Sequence, residues 1–170
     1  MALTHEFIQA ALTKKFGSAI IGWEESYGML CVIVDPKKNL EIVQYLYHND
    51  DLAFRFLTDI TGVHYPDKVG EEFCVVTHLH NLVANARLRM KAYMPVDAPD
   101  TYSLVPQFPG ANWMERETYD FYGINFLGHP NLKRILNDDA MDYFPMRKEF
   151  PMEDPTRRDK DDEMFGRGSY

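Results

Sequence analysis

The order of apolar and polar positions changes period several times along the chain. From Thr4 the spacing is helical: Phe7, Ile8, Ala11 and Leu12 share one face, Thr4 can cap the start, Lys14 and Lys15 suit the negative end, and Gly17 can stop it. Two strand-like runs follow, "AIIGWEE" and "GMLCVIV", divided by Ser26, Tyr27 and Gly28, and they predict a hairpin. "DPKKNLEIVQYLYHND" opens with Asp35 as a cap and Pro36 at the first helical position. It predicts a second helix burying Leu40, Val43, Leu46 and Tyr47. From Phe54 to Tyr93 the period falls to two, in "FRFLTDITGV", "EFCVVTHL" and "ARLRMKAYM", which predict three more strands. Helix, two strands, helix, three strands is an α+β order. It predicts a two-layer domain with helices on one face of a mixed or antiparallel five-stranded sheet.

Beyond residue 94 the pattern breaks up. Residues 1–94 form the predicted α+β core domain. Residues 95–127 read as a proline-punctuated connector followed by a short helix over residues 112–122. Residues 128–170 alternate prolines with Tyr143, Phe144, Phe150, Phe165 and Tyr170 amid dense mixed charge. Such a stretch is long for a loop within a compact domain, and too rich in rings for a purely solvated tail. It reads as an extended C-terminal arm whose rings are buried on a partner, ordered at assembly.

Composition narrows the classes. Among 170 residues, 45% are hydrophobic and 14% aromatic, enough for one real core. The net charge of −8 is spread evenly along the chain and advertises no basic face, so nucleic acid is not expected as a partner. Cys31 and Cys74 sit inside apolar runs, where a free thiol behaves as a small core residue. "MALTHEFIQA" has no signal or Arg-rich transit character, and no apolar run approaches the roughly 18 residues of a spanning helix. A soluble cytosolic chain is expected, one that a partner can still hold at a membrane.

The search for chemistry finds little. Neither G-x-G-x-x-G, G-x-x-x-x-G-K-[ST] nor G-x-S-x-G occurs, and "HEFIQ" has Gln9 where a zinc-protease helix needs its second histidine. Strand alternation places Cys74, His78 and His80 on one face, but Cys74 and His78 lie roughly 13 Å apart at strand rise. A core thiol beside two hydrogen-bonded histidines is the stronger account than a metal-dependent enzyme.

The densest stretch is "ERETYDFYG", residues 115–123. On a helix, Trp113, Met114, Phe121 and Tyr122 define an apolar side, and Arg116 and Asp120 are spaced to pair. Glu117 falls within that stripe. A buried carboxylate needs a proton or a cation, and Arg134, Arg147, Lys148 or a partner's arginine are the candidates. With no nucleophile or cofactor motif beside it, a buried ionic fastener is the expected role rather than catalysis.

"ERETYDFYGINFLGHPNLKRIL", residues 115–136, resembles the signature of the 30-kDa-type subunit family of respiratory NADH:quinone oxidoreductase (complex I). The resemblance extends through "FRFLTDITGVHYP", "FCVVTHLHNLVANARLRMKA" and "FPGANWMERE", and is weaker over residues 1–50. Downstream, "MDYFPMRKEF" keeps Pro145, Arg147, Lys148, Glu149 and Phe150 but replaces the family's tryptophan-glycine pattern. The resemblance implies a cofactor-free subunit of the hydrophilic arm. It would lie peripherally on the cytoplasmic side of the cell membrane, touching the membrane only through the complex. Its tail would lie along the large quinone-site (49-kDa-type) subunit beside cluster-bearing chains, with iron-sulfur clusters, FMN and quinone belonging to those partners. Glu115, Arg116, Glu117, Asp120, Gly123, Gly128, His129, Pro130, Arg134, Arg147 and Lys148 become docking and tail-fixing residues. A membrane-bound hydrogenase complex, with a homologous module, is the alternative.

Overall fold

The computed structural model describes residues 3–150. Helix α1 (His5–Phe16) begins where Thr4 accepts a hydrogen bond from the Phe7 amide, and it ends at Gly17, whose φ of 51° is a left-handed value. Strands β1 (Ile20–Ser26) and β2 (Met29–Val34) form the expected hairpin. Asp35 caps a single 3-10 turn over Pro36–Lys38, which delays helix α2 to Asn39–His48. That delay corrects the expected face: Asn39, Ile42, Val43 and Leu46 are buried, while Leu40 and Tyr47 flank them half-buried. Strands β3 (Phe56–His64), β4 (Phe73–Asn81) and β5 (Ala86–Met94) follow as an antiparallel meander.

The sheet runs β1-β2-β5-β4-β3, and it is mixed because β2 pairs with β5 in parallel, Val32 opposite Met90. Alternation sorts the side chains by face. Leu30, Val32 and Val34, with Phe73, Val75 and Leu79 and with Leu88, Met90, Ala92 and Met94, point into one core with Ile8 and Leu12 of α1 and Ile42, Val43 and Leu46 of α2. Cys31 and Cys74 face the opposite way but are covered by their neighbours.

The connector is more ordered than its prolines suggest. Strand β6 (Asp100–Tyr102) pairs in parallel with β7 (Asn125–Leu127), on either side of helix α3 (Ala111–Tyr122). Buried Asn39 donates to the Tyr102 carbonyl and Thr101 Oγ1 donates to the Pro36 carbonyl, tying this small ladder to the start of α2.

Helix α3 packs across β3, and Gly62 sets the approach. A Cβ there would meet the Tyr122 ring at 2.6 Å and the Thr118 methyl at 3.1 Å. Gly62→Val should therefore destabilise the domain by about 1–3 kcal/mol in urea unfolding, although valine is the better strand residue. Unchanged stability would mean that α3 is not seated on this glycine.

Candidate functional site

Helix α3 is turned differently from the sequence expectation. Its inward stripe is Ala111, Glu115, Thr118 and Tyr122, with Asp120 buried at its side. Trp113, expected inside, is 61% exposed, and Glu117 points to solvent, so Glu117 is not the buried carboxylate. The face opposing Gly62 has room for a close helix but not for an indole. The carboxylates can go inside because amides distant in sequence meet them.

Glu115 is fully buried, with no cation beside it among the described residues. Leu104 N donates to Oε1 and Ser103 Oγ to Oε2, each at 2.6 Å. Burial pushes the carboxyl up from its ordinary 4.5 to about 7, against the two hydrogen bonds that pull it down. The same Ser103 donates its own amide to the Leu127 carbonyl at 2.9 Å, so Glu115 supports the place where the chain leaves β7.

Asp120 is the more heavily engaged acid. Its Oδ1 accepts from Arg134 Nη1 at 2.8 Å, and its Oδ2 accepts the consecutive amides of Ile135, Leu136 and Asn137 at 2.8–3.0 Å. Burial pushes this carboxyl up, but the three amides and Arg134 outweigh it and hold it well below the usual carboxylate range. Arg134 also donates to the carbonyls of Asp120, Met141 and Tyr143 and lies over the Phe144 ring. The expected Arg116–Asp120 pair does not form. Arg116 instead donates to the carbonyls of Lys133 and Arg134, clamping the same turn from outside.

A second clasp lies further on. Arg147 Nε donates to the Tyr122 carbonyl, and its guanidinium sits 4.9 Å from the Phe73 ring centroid and 4.8 Å from that of Phe144. Gly123, with φ 73°, ends α3, and a Cβ there would strike Phe144 at 2.5 Å and Arg147 at 2.7 Å. The Met146 amide bonds to the Phe121 carbonyl and the Lys148 amide to buried His64 Nδ1. Residues 128–150 carry no regular element and fold back on their own domain, where the Phe144 ring packs against Tyr119, Arg134 and Arg147. Leu136, Tyr143, Met146 and Phe150 stay exposed. Residues 151–170, with Phe165 and Tyr170, lie outside the described residues.

The remaining candidates shape the turn at the root of the arm. Gly128 takes φ 82° in open space. His129 accepts the Asn131 amide at Nδ1, which leaves Nε2 to donate to the Asn112 carbonyl, and Pro130 follows at the surface. The Lys148 side chain is exposed. On the opposite sheet face, His78 accepts from Arg89 Nε at 2.9 Å, His80 pairs with Asn85, and burial pushes the Cys74 thiol up to about 12. A cluster of three His, Cys, Asp or Glu groups able to hold a metal is absent among the described residues.

Asp120→Ala should free the 135–137 turn, because it removes the charge partner and every amide acceptor at once. Breaking a buried pair costs about 3–5 kcal/mol, an upper bound here because the turn can lift into water. Hydrogen exchange should show those amides losing at least about tenfold of their protection while β4 and β5 hold theirs. Since folding lowers this carboxyl, its stabilisation is complete above its ordinary value of 3.8 and is lost only as pH falls through the folded value.

The family model for the respiratory-chain NADH dehydrogenase 30-kDa subunit matches residues 32–156. The NADH-quinone oxidoreductase C subunit of Methylorubrum populi is 42% identical over 141 residues, covering 83% of this chain but only 64% of that protein's length. Its counterpart of the same name in Caulobacter sp. is 38% identical, covering 94% of this chain and 73% of its own length. Among solved structures, the trypsin-resistant fragment of Nqo5 superposes with a TM-score of 0.62 at 30% identity, over 74% of this chain and 98% of the fragment. A chain of the membrane-bound sulfane sulfur reductase, an archaeal respiratory membrane complex, gives a TM-score of 0.71 at 24% identity over 86% of this chain and 85% of its own, a likeness of fold. With its signature residues gathered at the α3 and arm junction, the chain belongs to the 30-kDa subunit family of the respiratory-chain NADH dehydrogenase.

Proposed function

We propose that the chain is a cofactor-free scaffold subunit of the hydrophilic arm of a complex I, held peripherally on the cytoplasmic side of the membrane. It would dock on the large quinone-site subunit and on cluster-bearing neighbours. The observation that carries this reading is the arm root. Arg116, Asp120, Arg134 and Arg147 are spent inside the chain, while Trp113, Leu136, Tyr143, Met146 and Phe150 are left outward as exposed apolar groups. Arg116, Asp120, Gly123, Arg134 and Arg147 then act by fixing the arm, and Glu115 by fixing its root. His129, bonded at both ring nitrogens, fixes the turn at that root, and Glu117, Pro130 and the Lys148 side chain are the groups left to meet a partner directly. NADH oxidation and quinone reduction belong, in this reading, to the FMN, iron-sulfur clusters and quinone site of the partner chains.

The relatives' names support the complex I reading over a hydrogenase complex. Gentle detergent extraction of the tagged chain, with mass spectrometry and metal analysis, tests it. Flavin- and cluster-bearing NADH dehydrogenase subunits should co-purify. A nickel-bearing large subunit would move the same scaffold to a hydrogenase, and a chain emerging alone would end the scaffold reading. Deleting residues 128–170 should abolish co-purification, whereas retained partners would place the interface on the globular domain.

A further inference from the structure

Glu115 is the one acid of the signature buried without a cation. None of the ion pairs among the described residues includes it. The titratable groups on the surrounding elements are engaged elsewhere. Asp100 of β6 accepts from Asn125, His64 of β3 takes the Lys148 amide, His129 meets Asn112, and Arg116 on α3 itself holds the 133–134 carbonyls. Among the described residues, only Ser103 Oγ and Leu104 N reach the Glu115 carboxyl, and Ser103 Oγ must also accept the Val105 amide.

Ser103 therefore sits at a junction. Its side chain meets Glu115, and its amide holds the Leu127 carbonyl, one residue before the arm begins. We propose that Glu115 is a proton-gated brace that holds the root of the arm against α3, tight when the carboxyl carries a proton and looser when it is ionised. With a proton, Glu115 can donate to Ser103 Oγ at the same separation, and no net charge is buried. Without one, an anion with two hydrogen bonds and no cation is left in the interior, and opening the 103–105 turn to water relieves it. A raised folded value means that the stabilisation is complete below pH 4.5 and is lost as pH rises to about 7. Opening of the turn should grow across that window by at most about 300-fold, the ratio set by the displacement of this one ionisation. The consequence for docking rests on the function proposed above, whereas the brace belongs to the chain itself.

Amide NMR of the full chain between about pH 5 and about pH 9 reads the brace directly. The Leu104 amide proton, bonded to Oε1, should titrate with a midpoint near 7. Exchange of the Ser103 amide, corrected for its intrinsic rate, should rise across the window. Glu115→Gln should abolish both. Should that variant fail to fold, Ser103→Ala, which removes one of two donors to the ionised form, should move the Leu104 midpoint upward. A flat Leu104 signal in the natural chain, a titration that survives in Glu115→Gln, or Ser103 exchange indifferent to pH would each overturn the proposal. Because the experiment needs no partner, loss of the brace and loss of the scaffold reading are separate results.

Discussion

A carboxylate in the last turn of a helix is badly placed, because the unpaired carbonyls there already concentrate negative charge. Asp120 occupies that position and is fully buried. It is tolerable only with several donors around it, and the helix has none to offer at that end. The chain supplies them by turning back through residues 134–137, which bring one guanidinium and three amides to a single side chain. The rest of the junction follows from that return. Arg134 can then gather the carbonyls of Met141 and Tyr143, Phe144 lies between two guanidinium groups, and Gly123 leaves the space that Phe144 and Arg147 fill. Removing the acid leaves that return without its anchor.

The five strands and first two helices are legible in the sequence because each has a clean period and recognisable punctuation. Thr4, Asp35 and Gly17 act at the ends where their chemistry belongs. The discrepancy over α2 is small and local: one 3-10 turn rotates the following helix, and Ile42 takes the place expected of Leu40. The discrepancy over α3 is larger and has a different cause. Periodicity points to an apolar stripe, but the face against Gly62 is narrow, and its side carries acids whose partners lie 11 to 17 residues away in sequence. Hydrophobic periodicity contains no record of such partners. Arg134 is the right cation for a buried acid, but that acid is Asp120 and not Glu117. The signal pointing that way is the glycine in β3, which marks where a helix must come close.

The connector illustrates the same limit. Three-residue strands give no period, so β6 and β7 leave no trace in the hydrophobic pattern. They matter because they bring the chain before α3 and the chain after it side by side, so that both ends of the helix share a support. The acids of α3 then divide the work, Glu115 facing the approach to the helix and Asp120 its departure.

The parallel pairing of β2 with β5 has a consequence for how the chain acquires its structure. The β1–β2 hairpin can close from neighbouring residues, and so can the β3–β4–β5 meander. Nothing in the sheet joins these halves except the ladder from Leu30 opposite Leu88 to Val34 opposite Ala92. Until β5 has been synthesised, β2 presents an open backbone edge and the faces of Leu30, Val32 and Val34 await their central neighbour. Closing that single long-range seam is therefore the entropically demanding event of folding. On a ribosome it comes after more than half of these residues have emerged.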